Sequence, residues 1–119
     1  MSGGIKEKIY DTNVLIDLFK TSKIKEFDYI ITSIFNVIEF PPILKYASKL
    51  IIIYPTKDDY TLALKMMVKL RELGKPVGII DLMIASIAVQ RNMIVVSNDK
   101  DIEVIKEIEP RLEVTTFHN

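Results

Sequence analysis

Four acidic residues lie where a short apolar segment ends or where a helix turns inward: Asp11, Glu39, Asp81 and Asp99. In a parallel sheet the carboxyl ends of the strands meet at one edge, so side chains far apart in the sequence can converge in one crevice. Carboxylates packed together repel each other and raise each other's pKa unless cations lie between them. Oxygen ligands of this kind suit Mg²⁺ or Mn²⁺. The placement of the four acids therefore predicts a divalent-metal site.

Three of these acids also have a simpler structural interpretation, which the residue pattern leaves open. Asp11 can cap the helix that follows it, and Asn13, two residues on, could orient its carboxylate through an amide. Glu39 can lie on the solvent side of its helix, although its neighbours are apolar and burial of a lone charge would be costly. Asp81 begins a nearly uncharged segment that we expect to be a buried helix, so it would face the interior. An acid at a helix start also gains from the helix dipole.

A polar run, Ser97-Asn98-Asp99-Lys100-Asp101, follows a strongly apolar predicted strand. Asp99 and Asp101 are separated by one residue, so both carboxylates can reach a cation at the end of that strand. The Ser97 hydroxyl can serve a ligand, a water molecule or a phosphate. The alternative is a polar loop with a helix N-cap, and spacing alone leaves Asp101 the weaker candidate.

Composition excludes several other kinds of site. The chain has 119 residues, of which 49% are hydrophobic, and this size predicts one domain, residues 1–119. Because the chain has no cysteine, disulfides and thiolate zinc sites are excluded. The one histidine, His118, is close to the C-terminus, which argues against histidine-based catalysis. The net charge is zero, so only the distribution of charge can indicate a polyanionic partner.

Two features of the sequence bear on where in the cell we expect the protein to act. No segment approaches the roughly 20 apolar residues of a membrane span. The N-terminal residues lack the basic and apolar regions of a secretory signal. We therefore expect a cytoplasmic protein with no membrane partner, and flexible ends at residues 1–4 and 118–119.

Strands and helices alternate along the chain, which is typical of a parallel sheet covered on both faces. The first predicted strand ends at Tyr10, and the others span 29–32, 50–54, 93–96 and 112–116. Predicted helices follow Asp11, cover 23–27, 33–40 and 41–48, run from a Thr56 cap to Gly74, and cover 82–91 and 100–108, with a loop at 75–80. The apolar stripe of the helix that stops at Gly74 consists of Leu62, Met66, Leu70 and Leu73. The expected fold is a three-layer α/β/α sandwich with a central parallel sheet of four or five strands.

Four segments in this order resemble the PIN-domain ribonucleases: Asp11-Thr12-Asn13, the segment from Ser33 to Glu39, Asp81 with Ile84-Ala85-Ser86, and Ser97-Asn98-Asp99-Lys100-Asp101. The resemblance covers about residues 8–117. Among these proteins the chain is most similar to the small VapC-type toxins of prokaryotic toxin-antitoxin pairs.

The resemblance implies a site and a reaction. Asp11, Glu39, Asp81 and Asp99 would be the catalytic acids and the ligands of Mg²⁺ or Mn²⁺. Asn13, Ser97 and Asp101 would support these acids or contact the substrate. The reaction would be hydrolysis of RNA phosphodiester bonds that leaves a 5′-phosphate and a 3′-hydroxyl.

The resemblance also implies partners: RNA as substrate, a second copy of the chain in a homodimer, and a VapB-like antitoxin that covers the crevice. A polyanion that approaches a group of acids needs basic side chains around the rim. The candidates in the sequence are Lys20, Lys23, Lys25, Lys45, Lys49, Lys65 and Lys69, although each can equally be a solubilising surface residue.

Three classes of function stay open on the sequence alone. The first is a metal-dependent ribonuclease, either a toxin or a maturation nuclease without an antitoxin. The second is a catalytically silent RNA-binding or scaffold domain with the same fold. The third is a phosphoacceptor or phosphatase-like domain that uses Asp11 as nucleophile, and it is weakened because the residue two positions later is Asn13 and not a second aspartate.

Overall fold

The structure is a computed structural model and describes residues 4–118. Within these residues, five strands form one parallel sheet in the order β3-β2-β1-β4-β5. The strands are β1 Lys8–Tyr10, β2 Ile30–Ser33, β3 Leu50–Ile53, β4 Ile94–Val96 and β5 Glu113–Thr115. The α-helices are α1 Thr12–Lys20, α2 Ile34–Glu39, α3 Lys57–Glu72, α4 Ile79–Arg91 and α5 Lys100–Ile108, and two 3₁₀ segments span Lys23–Glu26 and Pro41–Lys49.

The two faces of the sheet bury different helices because successive strand residues point to opposite sides. Ile9 is aligned with Ile31 and Val95, and these side chains form a core with α3, α4 and α5. Tyr10 and Val96 point to the other face, where they pack with α1, α2 and the 3₁₀ segments. The predicted three-layer arrangement is therefore confirmed, with five strands in the sheet.

The order of the strands reverses beside β1. The chain moves outward from β1 through β2 to β3, and then returns to the other side of β1 for β4 and β5. A reversal of this kind leaves a crevice outside the carboxyl ends of the two strands that flank it. Asp11 directly follows β1 and Ser97 directly follows β4, so the topology brings these two segments together.

A buried ion pair connects α3 with α4. Asp59 is fully buried and accepts hydrogen bonds from both Nη atoms of Arg91, each at 2.9 Å. The backbone N–H of Thr56 donates to the same carboxylate at 2.7 Å, and the Ser86 hydroxyl donates to the carbonyl of Asp59 at 2.6 Å. Burial favours a raised pKa, but the bonds from Arg91 and Thr56 outweigh it and hold the pKa of Asp59 below its usual value. The pair joins the start of α3 to the end of α4, so the two helices pack antiparallel.

Three predicted features of the helices were wrong in detail. Helix α4 begins at Ile79, not at residue 82, because the extended backbone of Gly78 serves as its N-cap. Leu73 is not on a buried stripe but 57% exposed, since α3 ends at Glu72. The helix expected at 41–48 is a 3₁₀ segment whose backbone leaves helical geometry at Tyr46.

Of the ends predicted to be flexible, residues 1–3 and 119 lie outside the described residues, and Gly4 and His118 are exposed. The single-domain division of residues 1–119 stays a prediction. No described helix combines the length and hydrophobicity needed to cross a bilayer.

Candidate metal centre

A crevice of about 450 Å³ opens at the carboxyl ends of β1 and β4. The four predicted acids, Asp11, Glu39, Asp81 and Asp99, all line it, as does Asn13. The topology of the sheet and the first turn of α4 therefore bring together side chains that are up to 88 residues apart in the chain.

Three of the acids are close enough to share one ion. Asp11, Asp81 and Asp99 each offer a carboxylate oxygen, and these oxygens lie within 4.8 Å of one another. Asp11 follows β1, Asp81 lies in the first turn of α4, and Asp99 follows β4. Among residues 4–118, Glu39 and Asp101 do not belong to this group. We refer to Asp11, Asp81 and Asp99 as the acidic triad.

Asp11 is held by three hydrogen bonds. Its Oδ1 accepts from the backbone N–H of Thr12 at 2.8 Å and from Nδ2 of Asn36 at 3.1 Å. Its Oδ2 accepts from the Ser97 hydroxyl at 2.6 Å. The bond from Thr12 makes Asp11 the N-cap of α1, so helix capping and membership of the triad both apply to this residue.

Ser97 connects Asp11 with the third acid. Its buried hydroxyl donates to Asp11 and accepts from the backbone N–H of Asp99 at 3.0 Å. Asp99 is in turn the N-cap of α5, because its Oδ1 accepts from the backbone N–H of Asp101 at 2.9 Å. The Asp101 side chain is exposed. Ser97 thus joins two acids of the triad through hydrogen bonds, while Asp101 lies beside the triad and not in it, and the roles of both residues in the reaction stay predictions.

Asp81 lies in the first turn of α4, and residues 82–88 of that helix are buried. Burial, together with the nearby charges of Asp11, Asp99 and Asp101, raises the pKa of Asp81 from its usual value of 3.8 to about 7. Burial and the charges of Asp99 and Glu39 also raise the pKa of Asp11, although the bonds from Ser97 and Thr12 act in the opposite direction. A bound cation would relieve this repulsion.

No lysine or arginine is among the residues that line the described crevice. Lys20 lies at the far end of α1, about 12 Å along the helix axis from Thr12. Lys49 donates to the carbonyl of Phe27 at 2.6 Å. The lysines singled out from the sequence therefore do not form the walls of the crevice. The crevice therefore combines clustered carboxylates with the absence of a basic lining residue among residues 4–118. Carboxylate oxygens are the ligands that a hard divalent cation prefers.

Glu39 lies at the rim of the crevice. Its side chain is exposed at the end of α2, as the solvent-side interpretation predicts, and its Oε1 accepts from the Thr12 hydroxyl at 2.5 Å. The Thr12 hydroxyl in turn accepts from Nδ2 of Asn36 at 2.9 Å. One threonine thus links the rim carboxylate to the amide that holds Asp11.

Asn36 is the residue that sequence reasoning missed. It is fully buried, and its Nδ2 bridges Asp11 and Thr12 while its Oδ1 accepts from the Ser33 hydroxyl. The orienting role predicted for Asn13 was wrong, because no hydrogen bond joins Asn13 to Asp11 within the described chain. Asn36 follows the Ser33 cap by three residues and precedes Glu39 by three. Helical spacing puts it on the same face as Glu39, and this signal was present in the sequence.

The side-chain amide of Asn13 has a buried oxygen, Oδ1, without a hydrogen-bond partner in the described part of the chain, although the residue lines the crevice. A buried amide oxygen usually finds a partner. The role of Asn13 towards a substrate stays a prediction.

The fold is shared with several solved complexes. A chain of DNA-bound VapBC from Salmonella typhimurium is 22% identical, with a TM-score of 0.76 over 94% of this chain and 98% of that one. A chain of VapBC-1 from nontypeable Haemophilus influenzae is 20% identical, with a TM-score of 0.72 over 92% and 96%. A chain of VapBC-5 from Mycobacterium tuberculosis is 18% identical, with a TM-score of 0.70 over 97% and 100%. At these identities the likeness shows the fold.

No curated protein matches the sequence. The family model of the PIN domain, however, matches residues 8–108. The matched range begins with β1, ends with α5 and includes all three members of the acidic triad. The chain therefore belongs to the PIN domain family.

Proposed function

We propose that this protein is a Mg²⁺- or Mn²⁺-dependent ribonuclease that hydrolyses RNA phosphodiester bonds. PIN domains are generally nucleases. The observation that supports the proposal most directly is the convergence of Asp11, Asp81 and Asp99 within 4.8 Å at the sheet's topological switch. An acidic crevice of this kind repels a phosphate unless a cation is present, so the substrate and the metal would depend on each other.

Asp11, Asp81 and Asp99 would hold the metal, and Ser97 would keep Asp11 and Asp99 aligned through its hydrogen bonds. When bound, a divalent cation supplies an activated water and positive charge opposite the phosphate oxygens. Glu39, exposed at the rim, either completes the ligand set or accepts a hydrogen bond from the attacking water. We expect a 5′-phosphate and a 3′-hydroxyl as products.

The partners belong to the same proposal. The three solved structures described above are VapBC complexes, which supports a VapC-type toxin, a homodimer and a VapB-like antitoxin. We expect the protein to act in the cytoplasm. The test is whether the product of an adjacent reading frame binds this protein tightly and stops its RNA cleavage. If no such product exists while the protein cleaves RNA, a maturation nuclease is favoured.

The nuclease assay compares wild type with Asp11→Ala, each with MnCl₂ and with EDTA. We expect cleavage of single-stranded RNA only by wild type with metal. Asp11→Ala removes the carboxylate that three hydrogen bonds hold in place as a proposed metal ligand. RNA binding without turnover in Mn²⁺ would instead favour the scaffold alternative. A stable acyl-phosphate on Asp11 would favour the phosphoacceptor alternative.

Asn36→Leu is expected to weaken Mn²⁺ binding by about 10- to 100-fold, because an outer group that orients a ligand typically contributes this much. The substitution removes the donor that Asp11 Oδ1 and the Thr12 hydroxyl share. Calorimetric titration with MnCl₂ measures the change.

Ser86→Ala is the matched control. Ser86 is also fully buried, and its hydroxyl donates to the carbonyl of Asp59 on α3 at 2.6 Å, while Ser86 does not line the crevice. It should lower stability by about 1 kcal/mol and leave Mn²⁺ affinity unchanged. Equal losses of affinity in both variants would mean that Asn36 supports only the fold.

A further inference from the structure

The lining of the crevice is partly aliphatic. Ile16, Ile79 and Ile80 line the same crevice as the acidic triad, and we call them the isoleucine wall. Ile79 is 62% exposed although it lies immediately before Ile80 and Asp81 at the start of α4. One exposed isoleucine is ordinary in a folded protein. Three that converge on a charged cavity are not explained by burial in the core.

The local structure explains why apolar and charged side chains meet here. Ile16 follows Thr12 by one helical turn, so both lie on the face of α1 that borders the crevice. Ile79, Ile80 and Asp81 are the first three residues of α4. The isoleucine wall is thus built on the same two helix starts that position Asp11 and Asp81.

We infer that the isoleucine wall packs against the face of the nucleobase next to the scissile phosphate of a single-stranded RNA. The inference rests on the proposed nuclease function. A crevice of about 450 Å³ is in the range of cavities that hold a small organic ligand, so it has room for more than a phosphate. The acids would take the phosphate through the cation, and the adjoining apolar surface matches the flat, weakly polar face of a base.

The chemistry of the wall also limits what it can recognise. Isoleucine side chains carry no hydrogen-bond donor or acceptor, so they contact the face of a base and cannot read its edges. In a double helix these faces are covered by stacking, whereas in single-stranded loops and ends a base can swing out and expose its face. The wall therefore favours single-stranded RNA and tolerates different bases at this position.

The test uses two substitutions of Ile79 that act in opposite directions. Ile79→Ser should raise the Kd for a single-stranded oligoribonucleotide about 5- to 10-fold, because an apolar contact is lost. Ile79→Phe should lower the Kd at least about 3-fold, because an aromatic ring stacks on a base. A misfolded variant would not bind more tightly, so the second substitution separates contact from structure. Leu64→Ser is the control, since Leu64 is 66% exposed on α3 and does not line the crevice.

Binding is followed by the fluorescence of 2-aminopurine in the oligonucleotide, with CaCl₂ as the cation and gel analysis to check that the RNA stays intact. Equal Kd values for wild type, Ile79→Ser and Ile79→Phe would overturn the inference. This holds even if Ile79→Ser weakens the binding of a protein partner, because the wall would then serve that partner and not a base. Cleavage in MnCl₂ reports on the proposed function separately: if wild type cleaves RNA and all variants bind alike, only the inference fails. If wild type neither binds nor cleaves RNA, both fail.

Discussion

Replacing Asp81 by asparagine is expected to stabilise the metal-free protein while it lowers RNA cleavage on the order of 10³-fold. The two effects have one cause. The Asp81 carboxylate is half-buried beside Asp11 and Asp99, and its charge is unfavourable until a cation arrives. Asparagine removes that charge at nearly the same volume, but it also removes a metal ligand. Trade-offs of this kind are common where function needs an unfavourable arrangement.

The shifted pKa of Asp81 determines whether its contribution to stability rises or falls with pH. Asp81 has a pKa of about 7 in the folded protein and a usual value of 3.8, so its protonated form is favoured by folding. Its contribution to the free energy of unfolding is fully present below pH 3.8 and is lost as the pH rises towards 7. At pH 8 in EDTA we expect the free energy of unfolding of Asp81→Asn to be about 1–2 kcal/mol higher than that of wild type. The difference is no larger because water screens the charge of a half-buried group.

Urea unfolding at several pH values, with EDTA and with MnCl₂, measures this difference. Manganese at about 100 times its Kd should add about 2.7 kcal/mol to wild type and little to the variant. Asp58→Asn is the control, because Asp58 is an exposed acid in the first turn of α3 and only its interaction with the helix dipole is lost. If Asp81→Asn is less stable than wild type in EDTA at pH 8, Asp81 acts chiefly as a favourable helix-start acid.

Arg91→Ala is expected to lower the free energy of unfolding by about 3–5 kcal/mol. The substitution leaves the Asp59 carboxylate fully buried without its bidentate partner, although the bond from the Thr56 N–H remains. The cost arises from the stranded charge and not from the value of the pair itself. The double substitution Arg91→Met with Asp59→Leu should therefore recover much of the loss.

Arg111→Ala provides the comparison, since Arg111 pairs with Glu109 while its own side chain is 67% exposed. A solvent-exposed pair of this kind contributes little to the free energy of unfolding, because water screens the charges and two long side chains must be held in place. Urea unfolding of the two single variants measures the contrast. If Arg91→Ala costs no more than Arg111→Ala, the α3–α4 contact does not depend on the buried pair.

Much of the fold could be predicted from sequence because apolar segments of strand length alternate with helical patterns. The strand order could not, since it depends on which neighbours pair and not on local spacing. The start of α4 was placed three residues late because Gly78 caps the helix with its backbone and offers no side-chain signal. A local pattern of residues predicts the existence of a helix or strand more reliably than it predicts the residue at which that helix or strand begins or ends.

The acids of the site were predictable for a different reason. Asp11 and Asp99 are the first carboxylates after two apolar strands, and parallel strands end at one edge. Asn36 was missed because its contacts with Asp11 and Thr12, which are 25 and 24 residues away, cross from α2 to the start of α1. Helical spacing places Asn36 on the same face as Glu39, but it does not show that the amide reaches a residue on another helix. The roles of Glu39 and Asp101 depend on a bound metal and a substrate, so they stay predictions.

The acidic triad draws on three distant parts of the chain, and this separation ties the site to the order of synthesis. A ribosome makes Asp11 first, Asp81 70 residues later and Asp99 a further 18 residues later, while β5, which pairs with β4, follows at Glu113–Thr115. A nascent chain or proteolytic fragment that ends before Asp99 lacks one of the three carboxylates. The centre can therefore assemble only after Asp99 has been added to the chain, and a fragment that stops before this residue carries no complete copy of it.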